Sequence, residues 1–215
     1  MIKYLLLISA YLIGSIPWGF LFGKMKGIDI REHGSKNIGA TNTGRVLGTK
    51  YAIFTFILDA LKGFIPVALF TLKIVDMEHC LLSPMIYGLA AALGHTFPIY
   101  LKFKGGKSVA TGGGIILAYS LPLFLIVVGV FFIVAYITRY VSIGSLSAAV
   151  TGLLGTWVIT IMHKGFSNPD HIYNWTFPVG AVLIVGIIFI RHKNNIKNVI
   201  HKNENKVNWR KKKPN

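Results

Sequence analysis

Residues 108–138, SVATGGGIILAYSLPLFLIVVGVFFIVAYIT, run for 31 positions without a charged side chain. A helix needs about 20 apolar residues to cross a hydrocarbon core of roughly 30 Å. The run is therefore too long for one simple span and short for two. Pro122 divides it, because proline removes a backbone donor and crowds the preceding turn. Gly112, Gly113 and Gly114 loosen its first part. Whether the chain passes here once or twice decides which side of a membrane holds everything that follows.

Uncharged stretches at 4–23, 81–101, 140–162 and 172–190 are also long enough, or nearly so, to cross. So is 51–72, apart from Asp59 and Lys62. Charge decides the count. If 108–120 and 122–138 are separate passes, the segments 24–50 and 102–107, Arg139 and the tail 191–215 share one side. They carry 6, 3, 1 and 9 Lys or Arg, 19 of the 23. With one pass, Arg139 and the tail would move to the opposite side from the other two clusters. Basic residues gather on the cytoplasmic face, so the sequence predicts an all-α integral membrane protein of about seven transmembrane helices. Its N-terminus is outside and its C-terminus cytoplasmic, and a single domain covers 1–215. The fourth pass is the short one, near 20 Å at about 1.5 Å per residue. A broken helix is tolerated where it lines a polar cavity.

Composition agrees. Hydrophobic residues make up 53% and charged ones 14%, against about a quarter charged in soluble domains. Mean hydropathy is +0.58. Disorder is excluded, and the figures argue against a water-soluble globule. The net charge of +16 fits anionic lipid or anionic substrate better than nucleic acid, since long uncharged stretches separate the basic clusters. Cys80 stands alone, so there is no internal disulfide and no cysteine-based zinc site. The first apolar run is expected to be a retained helix rather than a cleaved leader. The short external loops carry Asp76, Glu78 and Asp170. The end of the tail, 207–215, reads as a tether to anionic lipid.

Three polar segments lie on the basic side. GIDIREHGSKNIGATNTGRVLG, 27–48, is richer in Gly, Asn, Ser and Thr than a simple connection needs. Small residues let backbone amides approach a ligand, and Arg45 offers a planar fork for phosphate or carboxylate. An ordered re-entrant loop with capped helix ends is the alternative. In HTFPIYLKFKGGKSVATGGG, 95–114, Gly105, Gly106, Lys107 and Ser108 precede a helix whose free amides would make an anion site. It is no nucleotide P-loop, because Leu101 holds the position of the first glycine. A tight turn flanked by topology-setting lysines would also account for it. In RHKNNIKNVIHKNENK, 191–206, His192 and Asn195 are three apart and share a helix face. On its own this segment reads as a solvated basic helix. Within the second span, Asp59 and Lys62 can pair; an unpaired charge there costs about 2.5–3.5 kcal/mol. Gly88, Ala91, Ala92 and Gly94 form a helix-packing face. His95 ends that span as a hydrogen-bonded core residue.

Together, SIPWGFLFGK (15–24) with GSKNIGATNTGR, then GHTFPIYLKFKGGKSVAT, then HKNNI with Glu204 downstream resemble the bacterial PlsY family, the membrane acyl-phosphate:glycerol-3-phosphate acyltransferases. The third anchor is the weaker. The family favours Arg where Lys193 stands and has a further Arg near Asn198. It commonly has glycine where Ser108 stands; a serine hydroxyl there could donate to the ligand instead. The resemblance implies transfer of a fatty acyl group from acyl phosphate to the primary hydroxyl of glycerol 3-phosphate, giving lysophosphatidic acid and phosphate. It implies no metal, no organic cofactor and no acyl-enzyme intermediate, and an active site on the cytoplasmic side of the bacterial cytoplasmic membrane. By the same resemblance Ser35, Arg45, His192 and Asn195 are catalytic. Asn37, Gly105, Gly106, Lys107 and Ser142, in a short loop after Arg139, bind substrate. Glu204 holds the tail in place, while Asp59 and Lys62, by their spacing rather than by the resemblance, are a structural pair. The partners are the two substrates and membrane lipid, not nucleic acid; a monomer is compatible with all of it. The general base is either a phosphoryl oxygen of the acyl donor, which is preferred, or His192. Two rivals stand beside this reading. One is a transporter of a phosphate ester, which would show repeats and mid-membrane helix breaks. The other is an acyl-CoA enzyme, whose H-x4-D signature is missing after both His33 and His95.

Overall fold

The computed structural model describes residues 1–168 and 172–207. Asp170 and most of the proposed lipid tether lie outside the described residues. Among these residues the regular structure is entirely helical. The helices are α1 (Ile2–Ser15), α2 (Trp18–Met25), α3 (Ala40–Leu47), α4 (Thr49–Thr71), α5 (Pro84–Thr96), α6 (Val109–Tyr119), α7 (Leu121–Thr138), α8 (Val141–Met162), α9 (Thr176–Arg191) and α10 (Lys193–Ile200).

Among the described residues α4, α7 and α8 are each long and apolar enough to cross a membrane, and the count reaches five if two bent pairs are single spans. One pair is α1 with α2, bent by 44°, which corrects the unbroken run expected over 4–23. Pro17 is the cause. It disfavours helical geometry at the preceding residue, and Ile16 sits at φ −63°, ψ 116°. The other pair is α9 with α10, bent by 53°. The segment 24–50 is not a plain loop, since α3 folds inside it.

Glycine seams hold the helices together. A Cβ on Gly14 or Gly94 would meet the backbone of the facing α5 or α1, and one on Gly63 or Gly114 would meet that of the facing α6 or α4. Lipid tails are as apolar as leucine, so close backbone approach replaces the hydrophobic drive between helices. Contacts along each seam give the directions. Ala10 packs beside Tyr87 and Gly14 against Ala91, so α1 and α5 run parallel. Gly112 faces Ile184 and Ile188 while Tyr119 stacks on Phe177, so α6 and α9 run antiparallel. The core fills between them with Val67, Met85, Ile115, Phe177 and Ile184.

The run 108–138 resolves into two helices broken at Ser120, whose hydroxyl accepts the Leu123 N–H (3.3 Å) and caps α7. Arg191 bonds the backbone of Gly105 and Gly106, just ahead of α6. The Val207 N–H bonds the Arg139 carbonyl (2.8 Å), just after α7. The start of α6 and the end of α7 therefore lie at one end of the bundle, beside the end of α9. At 11 residues, α6 is about 16 Å long.

Gly114→Ala, which forces a methyl into the Ala60 carbonyl, is expected to cost about 1–3 kcal/mol or more. Gly186→Ala, with nothing within 4 Å, should be neutral or stabilise by about 0.5–1 kcal/mol. Unfolding of both variants in lipid checks this; equal effects would contradict the glycine seams.

Candidate active site

The first polar segment is organised by Asn42, on α3 and 1% exposed. Its Nδ2 donates to the carbonyls of Ile30 (3.0 Å), His33 (3.1 Å) and Asn37 (2.8 Å). Its Oδ1 accepts the Ser35 N–H at 2.7 Å. Asn37 Oδ1 takes the Gly39 N–H at 2.8 Å, at the start of α3. The Arg31 guanidinium grips Asp29 at 2.6–2.9 Å and holds its carboxyl down at about 2. This scaffold leaves Ser35 and Arg45 exposed. Asn37 is partly committed to the loop's own geometry.

The second segment differs from expectation. The amides of Gly105 and Gly106 are not free: they donate to the carbonyls of Thr96 (3.1 Å) and His95 (2.9 Å), which end α5. The first bond closing α6 runs from Gly112 N–H to Ser108 O (2.8 Å), and amides earlier in that turn have no intrahelical partner. Ser108 has φ 58°, the left-handed region where glycine fits without steric cost. That is a physical reason for glycine here in the resembled family. Serine is held by its hydroxyl, which donates to Ala92 O (2.8 Å) and meets Thr96 Oγ1 (2.7 Å). At 1% exposure it points into the bundle, not toward a ligand.

In the third segment His192 sits at the junction of α9 and α10, so it and Asn195 do not share one straight helix face. A carbonyl can only accept, so the 2.8 Å contact with Ile188 O places the His192 proton on Nδ1. Nε2 keeps a lone pair. Burial, with Lys107 nearby, pushes its pKa down to about 4, leaving the imidazole neutral near pH 7. Asn195 accepts from the Lys107 ammonium through Oδ1 and donates to Glu204 Oε1 at 2.6 Å. Arg191 donates to the carbonyls of Gly106 (3.1 Å) and Gly105 (2.6 Å).

Lys107 feels the charge of residues from all three segments. Burial lowers its pKa to about 8, and the positive charges of Arg191 and Arg45 add to this against the pull of Glu204. Ser142 is in the first turn of α8, not in a loop. It is buried, and its hydroxyl has no hydrogen-bond partner among the described residues. Helix α10 touches α8 and α9, which brings this end of α8 to the same cluster. From Val109 and Ile188, close in the chain to Lys107 and His192, a narrow apolar cleft of about 60 Å³ runs between α6, α7, α8 and α9. Its walls include Gly112, Gly113, Ile116, Gly152 and Ile184.

Sequence reasoning passed over two residues. Asn42 stood inside a quoted motif without a role, although an asparagine on an otherwise packed helix turn signals a loop organiser. Arg191 was counted only as charge, although it adjoins His192.

The glycerol-3-phosphate acyltransferase family profile matches residues 4–202. The glycerol-3-phosphate acyltransferase of Bacillus subtilis strain 168 is 45% identical over 97% of this chain and 100% of its own. That of Acholeplasma laidlawii is 42% identical over 95% of this chain and 93% of its own. The crystal structure of PlsY, an integral membrane glycerol 3-phosphate acyltransferase, superposes in its glycerol 3-phosphate form with a TM-score of 0.85 at 35% identity, covering 96% of both chains. Its lysophosphatidic acid form gives 0.82 at 35% identity over 96% of this chain and 95% of its own.

Ser108→Ala loses the hydroxyl bonds and keeps the left-handed strain, so it should destabilise by about 1–3 kcal/mol. Ser108→Gly loses the bonds but relieves the strain and should stay within about 1 kcal/mol of the parent. Chemical denaturation in lipid separates them. A second measurement concerns acid stability. The pKa of His192 is lower in the folded protein than its ordinary 6.5, so the unfolded chain takes the proton first. Its contribution is complete above about pH 6.5 and falls as pH drops toward 4. His192→Gln should flatten the stability curve over that window; an unchanged curve would contradict the burial of a neutral imidazole.

Proposed function

Because the chain belongs to the glycerol-3-phosphate acyltransferase family, we propose that its acyl donor is an acyl phosphate and that the cluster around Lys107 is its active site. The chain is an acyltransferase of glycerol 3-phosphate, a membrane enzyme of phospholipid synthesis. The observation that carries the proposal is that the charges of Arg45 and Arg191 both act on Lys107, two residues before Val109 in the wall of an apolar cleft. Two phosphorylated reactants, one with a fatty tail, need both features in one place.

Arg45, Lys107 and Ser35 neutralise and orient phosphate; each charge-assisted hydrogen bond is worth about 1.5–3 kcal/mol. Asn195, set between Lys107 and Glu204, aims the ammonium. Ser142 offers a buried hydroxyl that lacks a partner among the described residues. Asn37, Gly105 and Gly106 shape the floor, the glycines through their backbone rather than through free amides. The acyl tail lies in the cleft, with its carbonyl near Lys107. The primary hydroxyl oxygen attacks that carbonyl carbon, the bond from carbon to phosphate oxygen breaks, and phosphate leaves. The hydroxyl proton passes to a phosphoryl oxygen of the donor. With its pKa near 4, His192 is the weaker base, and its Nε2 lone pair orients glycerol 3-phosphate by accepting from the secondary hydroxyl, which leaves the primary hydroxyl's proton for the donor. Rate comes from positioning and from cations facing the charge that develops in the transition state.

The finer topology follows the same reading. Seven passes, with the N-terminus outside and this cluster on the cytoplasmic side of the cytoplasmic membrane, keep 19 of 23 Lys and Arg inside and satisfy the positive-inside rule. Cys80 is half-buried and its thiol is pushed up to about 12, so it reacts too slowly to report sidedness. A C-terminal reporter should read cytoplasm; an external reading would refute the parity.

The purified protein in lipid, given glycerol 3-phosphate, should release phosphate and lysophosphatidic acid with acyl phosphate and not with acyl-CoA. The reverse preference would overturn the donor assignment. Lys107 binds phosphate as an ammonium, which predominates below about pH 8. KM for the phosphate ligand at Lys107 should therefore climb as pH passes 8, and Lys107→Arg should remove that limb. His192→Gln should keep most of kcat and add no pH dependence. A collapse of kcat with loss of a basic limb would make histidine the base.

A further inference from the structure

Three ionisable side chains stand inside the bundle where the chemistry above gives them no part. Asp59 and Lys62 on α4 pair at 2.6 Å. His95 on α5 completes the group, its Nδ1 3.4 Å from Lys62 Nζ and 3.6 Å from Asp59 Oδ1. All three are buried. Replacing a buried ion pair by apolar residues is often neutral or stabilising, so stability alone is a poor reason for it. The lysine ammonium can only donate, so it gives a proton to the Nδ1 lone pair and fixes the imidazole N–H on Nε2. That edge of the ring faces Gly106, where an added Cβ would overlap Nε2. The backbone of the same residue bonds the His95 carbonyl, and Gly105 bonds the next one. On the far side Arg191 closes over both glycine carbonyls. Lys107 is the next residue.

We propose that Asp59, Lys62 and His95 are positioning residues: together they form the seat on which Gly105 and Gly106 rest, and so set where the Lys107 ammonium stands. Two contacts make the linkage. Lys62 and Asp59 orient the ring, and the ring edge together with two carbonyls fixes the height of the loop. Glycine at 106 is then required by the ring beneath it. The catalytic consequence rests on the reading of Lys107 as a phosphate ligand; the structural linkage does not.

The test combines kinetics with the pH dependence of Lys107 modification by an amine reagent, read by peptide mass spectrometry, in protein held in lipid. The variants are His95→Ala, His95→Gln, the neutral pair Asp59→Asn/Lys62→Gln, and Gly106→Ala. Disturbing the seat should raise KM for the phosphate substrate at Lys107 by about ten- to a hundredfold. It should also move the midpoint of Lys107 reactivity from about 8 toward that of an exposed lysine. His95→Gln, which keeps length and hydrogen bonding, should recover most of what His95→Ala loses. Gly106→Ala disturbs the seat from the loop side without touching the charges, so it serves if the α4 variants do not fold. Its effect should be less than additive with His95→Ala, which makes room for the methyl. Gly106→Ala with parental KM and parental Lys107 reactivity would overturn the proposal, as would strict additivity of the pair. If the parent protein acylates nothing, yet Lys107 reactivity shifts in the variants, the functional reading fails and the linkage stands.

Discussion

The carbonyl ends of α5, at His95 and Thr96, are buried, and a buried carbonyl must find a donor. The chain supplies the donors itself from Gly105 and Gly106. The rest of the candidate site follows from that pairing. It folds the glycine segment back onto the helix it has just left. It leaves Ser108 in a left-handed conformation with its hydroxyl on the same helix. It turns the two glycine carbonyls outward, where Arg191 takes them and ties the last span to the middle of the chain.

The consequence is electrostatic. Arg45 and Arg191 repel the half-buried Lys107, and Glu204 offsets them only in part. A site of this kind favours any group that brings negative charge, and phosphate brings it with oxygens that accept from guanidinium and ammonium alike. The neutral His192 adds no further positive charge. Beneath them the wall turns apolar within one helical turn, from His192 to Ile188. In the proposed reading, the same few residues sort a polar head from a lipid tail.

Much of this was legible in the sequence because it depends on composition and sidedness. Uncharged runs gave the helices, basic clusters gave the common end, and polar motifs gave Arg45, Lys107 and Asn195. The spacing of Asp59 and Lys62 predicted one face, and they stand 2.6 Å apart. What escaped was the direction of hydrogen bonds. A GGKS segment before a helix advertises free amides, but nothing local says that another helix's carbonyls claim two of them. Ser108 likewise read as a donor to ligand, since its backbone angle is set by tertiary folding. Pro17 bends the first span, a break its apolar run concealed. Asn42 and Arg191 act on main-chain carbonyls, and carbonyls have no letter in a sequence.

The central claim is that three remote segments form one phosphate-binding mouth over one apolar cleft. A structure determined in lipid with glycerol 3-phosphate and an unreactive acyl phosphonate tests it most directly. The account places both phosphorus atoms among the side chains of Arg45, Lys107 and Asn195, and the acyl chain between Gly112, Gly152 and Ile184. Phosphorus bound at the opposite end of the bundle, or an acyl chain lying outside that cleft, would contradict it.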